Sequence, residues 1–308
     1  MRSMSLIEQT LFGRVDKVKT AIERLKLAEL SREALYVCYS GGKDSKVVRR
    51  LCEMAGVNHE LHYNLTSVDH PSVVREILDD PKVIVDKPRD ENGKQKTMWS
   101  LIAKKKIPPT RIIRYCCEEL KEHHGRGRIC VTGVRKAENI SRALNGGVVK
   151  IIGKSAAKIQ GIDIAVSPKG GVVFNLDNAD NRRIIEQCYR TSKTLINPII
   201  DWTDADVWEF SRAENIQQSE LYIENGGKYR RLGCILCPMA TCKEREEAAR
   251  DYPQIKEAYI RAFQKMIEVN KDVDYKWRTG EEVYKWWLYG NKKSPQLKGQ
   301  LSMFPTEK

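Results

Sequence analysis

Ala34-Leu35-Tyr36-Val37-Cys38-Tyr39-Ser40-Gly41-Gly42-Lys43-Asp44-Ser45-Lys46-Val47-Val48-Arg49-Arg50-Leu51-Cys52 is the stretch that decides how this chain folds. An apolar run of strand length comes first, then a turn of serines and glycines, then a helical pattern. The glycines Gly41 and Gly42 let the backbone approach a ligand closely and turn its N–H groups inward. The helix that follows starts with its partial positive end at the same point, which favours an anion. Ser40 and Ser45 add hydroxyl donors, and Lys43 adds a full charge beside Asp44. The segment therefore reads as a phosphate cradle. It is not a Walker A loop, because the spacing G-x-x-x-x-G-K-[ST] is missing.

Outward from the cradle, strands are predicted at 34–39, 59–65, 82–86 and 128–134, with another ending at Ile199 or Ile200. Helical stretches at 45–55, 71–79 and 97–105 separate them. Pro108-Pro109 breaks the chain before a helix near 111–123. This alternation predicts an α/β fold with a doubly wound, mostly parallel sheet. Ligands of such sheets bind at the carboxyl ends of the strands, where both Ser40–Ser45 and Gly133–Arg135 fall. Upstream, Leu11, Val15, Val18, Ile22 and Leu25 form one stripe of a predicted helix over 5–27. Downstream, 243–270 reads as charged helix, and Trp277, Trp286 and Trp287 anchor a last helix by packing. The expected division is an N-terminal helix (1–30), a central domain (31–242), a helical C-terminal appendage (243–295) and a flexible tail (296–308). Within the central domain, 145–183 is rich in glycine and lysine and reads as an inserted hairpin or a surface loop.

Composition narrows the class. Nine cysteines, with no leader segment and no long apolar run, predict a reducing cytoplasm and no membrane partner. Cys38, Cys52 and Cys130 sit in apolar patterns and read as small core residues, as does Cys188. None of the five histidines is spaced with carboxylates as a metal site requires. The net charge of +13 gathers at Lys104–Lys106, Arg111–Arg114, Lys121–Arg128, Arg182-Arg183 and Lys228–Arg231. Such an excess suits a polyanion, either a nucleotide or a nucleic acid, or else a solvated basic face.

Four other cysteines carry chemistry. Cys116 and Cys117 are adjacent, and Cys234 and Cys237 form a Cys-x-x-Cys turn. Four thiolates suit an iron–sulfur cluster or zinc. An adjacent pair is unusual for a structural zinc knuckle, which takes two Cys-x-x-Cys loops.

The loop Ser-Gly-Gly-Lys-Asp-Ser resembles the pyrophosphate-binding (PP) loop of the ATP-pyrophosphatase superfamily, whose fold is the adenine nucleotide alpha hydrolase type. Followed by Cys-Cys and then Cys-x-x-Cys, it resembles the phosphoadenylyl-sulfate and adenylyl-sulfate reductase family, whose cluster-bearing members hold a 4Fe–4S centre this way. Val131-Thr132-Gly133-Val134-Arg135, with Glu138 and Arg142, looks like that family's substrate-binding strand end. Asn197–Thr203 with Asp206-Val207-Trp208 looks like its segment entering a helix, so the likeness covers roughly 30–245. The resemblance implies an adenine nucleotide on Ser40–Ser45 and Gly133, oriented by Arg135 and Arg142. It implies Lys43, Asp44 and Arg135 as catalytic residues, and a cluster on Cys116, Cys117, Cys234 and Cys237. A reductant or sulfur-donor protein would complete the reaction.

One departure stands out. Family members that form a thiosulfonate carry a nucleophilic cysteine in a C-terminal Glu-Cys-Gly motif, and no cysteine follows Cys242 in this sequence. The alternative class, tRNA thiolases and DNA phosphorothioation proteins, combines a similar loop with cluster cysteines. There the loop releases pyrophosphate from ATP, and Asp44 would help hold magnesium. A nucleotide-binding regulator without turnover is a third class. Finally, Gln300-Leu301-Ser302-Met303-Phe304 resembles the peptide that docks on the bacterial sliding clamp.

Overall fold

The computed structural model describes residues 4–11, 13–29, 33–122, 124–125, 127–138, 147–152, 165–166, 172–174 and 193–290. In chain order, the first half carries β1 (Ile7–Thr10), β2 (Gly13–Asp16), α1 (Lys17–Ala28), β3 (Leu35–Cys38), α2 (Lys43–Ala55), β4 (His59–Asn64), α3 (Pro71–Leu78), β5 (Val83–Asp86), α4 (Met98–Lys105) and α5 (Tyr115–Leu120). The second half carries β6 (Ile129–Val131), β7 (Val149–Ile152), β8 (Ala165–Val166), β9 (Val172–Phe174), β10 (Lys193–Ile196), α6 (Asp204–Ala213), α7 (Cys242–Asp251), α8 (Pro253–Val269) and α9 (Gly280–Tyr289). These elements fall into two compact units. One comprises Met1–Leu65, His70–Pro88 and Lys121–Gly233; the other comprises Thr66–Asp69, Arg89–Leu120 and Cys234–Lys308.

The first unit holds an eight-stranded sheet in the order β5-β4-β3-β6-β10-β7-β9-β8. Its first five strands run parallel, with Tyr36 of β3 opposite Glu60 of β4 on one side and Cys130 of β6 on the other. The chain builds outward from β3 to β4 and β5, then returns to place β6 and β10 on the opposite side of β3. The order reverses between β3 and β6, and at such a switch point the loops leaving the two strands part to open a crevice. Burial explains why β3 and α2 form where they do. Leu35, Val37, Val47, Leu51, Val131 and Ile196 are all essentially inaccessible, and each buried aliphatic side chain contributes about 1.5–3 kcal/mol.

The helix expected over 5–27 begins only at Lys17. Ile7–Thr10 and Gly13–Asp16 instead pair as an antiparallel hairpin. Gly13 sits at φ +120°, a conformation a helix cannot use. Asp16 then caps α1, its carboxylate accepting from the N–H groups of Val18 and Lys19 at 3.0 and 3.3 Å. Within 145–183, the stretch expected to be an inserted hairpin or a surface loop, β7, β8 and β9 extend the sheet antiparallel beyond β10.

The second unit is helical, and its core gathers Met98, Leu101, Ile102, Tyr259, Phe263 and Trp287, among others. The helix expected near 111–123 spans only Tyr115–Leu120. Before it, the Thr110 hydroxyl accepts from the N–H groups of Ile112 and Ile113 and forms a turn. The long helix expected from 243 to 270 is two helices, α7 and α8, parted at Tyr252-Pro253 because proline opens the second one.

Candidate active site

In the first unit a cleft forms at the switch point, lined by Ser40, Lys43, Asp44, Gly133, Tyr222 and Arg231, among others. Its floor is the turn between β3 and α2. Gly41 holds φ +70°, and a Cβ there would lie 2.7 Å from Val73 Cγ1, so only glycine fits. Gly42 begins α2 in an extended conformation with no side-chain cap. The first-turn N–H groups of a helix have no intrahelical acceptor, so this terminus is open to an anion. Ser45 is folded inward: its hydroxyl donates to the Gly42 carbonyl at 2.9 Å and accepts from the Ser40 N–H at 3.2 Å. Tyr222, buried and absent from the sequence-derived set, accepts from the Lys43 N–H at 2.9 Å. Burial pushes its hydroxyl up to about 12, so it stays protonated and able to donate as well as accept.

The second wall comes from the turn after β6. Gly133 passes so close to α2 that a Cβ there would sit 3.0 Å from the carbonyl carbon of Asp44. Arg135 was expected to orient the anionic end of the nucleotide. In the structure its side chain is 1% exposed and its fork is engaged by other residues of the protein. Nε donates to Asp44 Oδ1 at 2.8 Å, Nη2 to Asp204 Oδ1 at 2.8 Å, and Nη1 to the Trp202 carbonyl at 3.4 Å. Lys43 Nζ reaches the same Asp204 oxygen at 3.0 Å. Two cations and two carboxylates are thus locked together, which fixes Lys43 and Asp44 at the rim of the cradle. Burial alone would raise the Asp204 carboxyl, but Lys43 and Arg135 outweigh it and hold the group below its ordinary range. Asp204 was legible only as part of a helix start, where Thr203 caps α6 in a capping box with Asp206. Arg231 keeps a largely exposed side chain beside Glu138, at 3.0 Å.

The four cysteines lie in the second unit. Cys116 and Cys117 belong to α5; Cys234 and Cys237 share a turn in which the Cys237 N–H donates to the Cys234 carbonyl at 3.2 Å, and the Ile235 N–H between them donates to the Val68 carbonyl at 2.7 Å. Cys116 lies within electrostatic reach of Cys117, Cys234 and Cys237. Contact with the Cys117 thiol and burial push the Cys116 thiol well above its ordinary value, and Cys234 and Cys237 act in the same direction. Around the sulfurs, Thr66 Oγ1 lies 3.8 Å from Cys234 Sγ, and the Arg114 guanidinium lies 3.8 Å from Cys117 Sγ. Among the described residues no group of three or more His, Cys, Asp or Glu side chains is spaced for a single metal ion. Arg142, Cys188 and the Gln300–Phe304 peptide lie outside the described residues. Among those described, no helix is long and apolar enough to cross a membrane.

An α/β sheet with a glycine-rich anion cradle at its switch point defines a nucleotide-binding fold. More narrowly, residues 34–240 match the phosphoadenosine phosphosulfate reductase domain, and the chain belongs to that family. Two proteins of Methanocaldococcus jannaschii, both described as uncharacterized, are also similar to it. One is 24% identical over 301 residues, covering 89% of this chain and 61% of the relative. The other is 22% identical over 264 residues, covering 82% and 44%. The chain thus spans about half the length of these curated relatives. Among solved structures, the phosphoadenylyl-sulfate reductase of Candida auris in a phosphate complex matches at 15% identity and TM-score 0.40, over 70% of this chain and 88% of that one. The U34-tRNA thiolase NcsA of Methanococcus maripaludis, with its 4Fe–4S cluster, matches at 12% identity and TM-score 0.40, over 98% and 91%.

Proposed function

We propose that the chain is a sulfonucleotide-reductase-type enzyme that binds an adenine nucleotide on Ser40–Ser45 and holds a 4Fe–4S cluster on Cys116, Cys117, Cys234 and Cys237. The observation that carries the nucleotide half is the start of α2, whose N-cap Gly42 offers no side chain and which stands at the switch point, with only its Lys43 N–H taken up, by Tyr222. First-turn N–H groups and the Ser40 hydroxyl donate to phosphate oxygens, and Lys43 neutralises their charge. Arg135 acts through Asp44 and Asp204, keeping Lys43 aimed at the cradle instead of touching the ligand. Arg231 offers a further cation at the cleft wall. When bound, the cluster supplies an electron-rich sulfur environment for the sulfur being transferred.

Anaerobically prepared protein, given a thiol reductant and either adenylyl sulfate or phosphoadenylyl sulfate, should release sulfite and the matching adenosine phosphate. Release of neither product from either substrate would refute the reductase reading.

The net charge of +13 favours a second reading, ATP-dependent thiolation of a nucleic acid. Asp44 would then contact a magnesium ion, and pyrophosphate would be released only with the nucleic acid present. Binding that weakens steeply with salt, with a slope reduced by about one unit in Arg111→Ala, would support this reading. Deletion of 300–308 tests the sliding-clamp peptide separately: intrinsic nucleic-acid binding should persist while clamp association is lost.

A further inference from the structure

Among the described residues of the second unit, three buried side chains, those of Tyr259, Tyr284 and Arg245, have polar atoms without a partner, and two of them lie close to the cysteines. Tyr259, on α8, is 0% exposed, and its hydroxyl has no hydrogen-bond partner among the described residues. Trp99 and Trp287 hold its ring, with centroids at 5.1 and 4.7 Å, so the hydroxyl cannot swing out to water. Arg245, on α7, is buried with its guanidinium 4.0 Å above the Trp287 ring. Nη1 donates to the Trp287 carbonyl at 2.9 Å, but Nε and Nη2 have no partner among the described residues. A buried unpaired hydroxyl is destabilising, and a buried unpaired charge is more so.

Both residues belong to the unit that carries the four cysteines. Tyr259 and Cys116 share one core, against which Cys117 and Cys234 also pack. Burial drives the Tyr259 hydroxyl far up, and Cys234, Cys116 and Cys237 push it the same way. Burial pulls Arg245 down; opposing that pull are Tyr259, Tyr284, Cys242 and Cys237.

We propose that Tyr259 and Arg245 donate hydrogen bonds to the sulfur-rich group held by Cys116, Cys117, Cys234 and Cys237, and thereby raise its reduction potential. The inference rests on the cluster reading above. Donors and positive charge near a cluster favour its reduced, more anionic form. They also explain why the core tolerates two orphaned donors: the missing acceptors arrive with the cluster sulfurs.

The test reconstitutes wild type, Tyr259→Phe and Arg245→Gln anaerobically with iron and sulfide. It reads iron content, midpoint potential by dye-mediated titration, and melting temperature with and without the metal. Both variants should keep their iron and show a potential below that of wild type. Tyr259→Phe should melt above wild type without iron, since the unpaired hydroxyl is gone, and below it when loaded. If Arg245→Gln does not fold, Tyr259→Phe carries the test alone, because it deletes one oxygen and leaves the packing intact. Loaded variants with unchanged potential and melting would overturn this inference alone. A wild-type chain that takes up no iron would overturn the cluster reading and this inference with it.

Discussion

Arg135→Met removes one side chain that holds together two carboxylates and a backbone carbonyl. In the native protein its donors sit 2.8 Å from Asp44, 2.8 Å from Asp204 and 3.4 Å from the Trp202 carbonyl, with the guanidinium shielded from water. Deleting one partner of a buried ion pair costs about 3–5 kcal/mol, because the charge left behind stays desolvated. Here the Asp204 side chain is 60% exposed, so water takes up part of the loss and the estimate falls to about 3 kcal/mol. For a domain of this size, with m near ~3 kcal/mol/M, the urea midpoint should drop by about 1 M. Arg135→Lys keeps the charge but loses the fork, and should recover roughly half of the loss. The Asp204 carboxyl should also rise toward its ordinary range in Arg135→Met. Unfolding followed by far-ultraviolet circular dichroism gives the midpoints. An Arg135→Met midpoint within about 0.2 M of wild type would show that the network is not what holds this wall of the cleft.

Gly133→Ala should cost about 1–3 kcal/mol, because the new methyl meets the backbone of Asp44 at 3.0 Å and neither can retreat. Equilibrium dialysis should show nucleotide binding falling with it. Lys105 and Lys96 hold the Glu119 carboxyl at about 2, against an ordinary 4.5. Its stabilisation is therefore complete above pH 4.5 and is lost as pH falls toward 2. Partial exposure limits the effect to about 1 kcal/mol, and Glu119→Gln should flatten the stability–pH curve across that window. Cys237→Ser should remove the charge-transfer absorption of anaerobically reconstituted protein, which a visible spectrum records directly.

The strand, turn and helix over 35–55 were legible because everything they need is contiguous: an apolar run, two glycines and a helix start within a few residues of one another. The parallel sheet followed from the same alternation. What escaped is contact through space. Tyr222 and Asp204 reach Lys43 from far downstream, and no local pattern marks either as a neighbour of this turn. Arg135 shows the converse limit, since the sequence supplies a cation near the site but not the two carboxylates that consume it. At the N-terminus, Leu11, Val15 and Val18 keep helical periodicity, yet Gly13 and the Asp16 cap override it. Composition could not show that 66–69 and 89–120 join the C-terminal helices, because that unit is assembled from discontinuous pieces.

That discontinuity bears on how the protein matures. Cys117 and Cys234 are separated by almost the whole second half of the parallel sheet, yet both belong to the helical unit. Any group that ligates both cysteine pairs is a cross-link closing a loop of more than a hundred residues. By analogy with a disulfide across such a loop, it would remove about 4–5 kcal/mol of chain entropy from the unfolded state. During synthesis the early pair must wait, solvent-accessible and reactive, until the ribosome has delivered the late one. Metal delivery would then be a late event in biogenesis, and the stretch between the pairs would be tied off like a purse by the ligation that ends it.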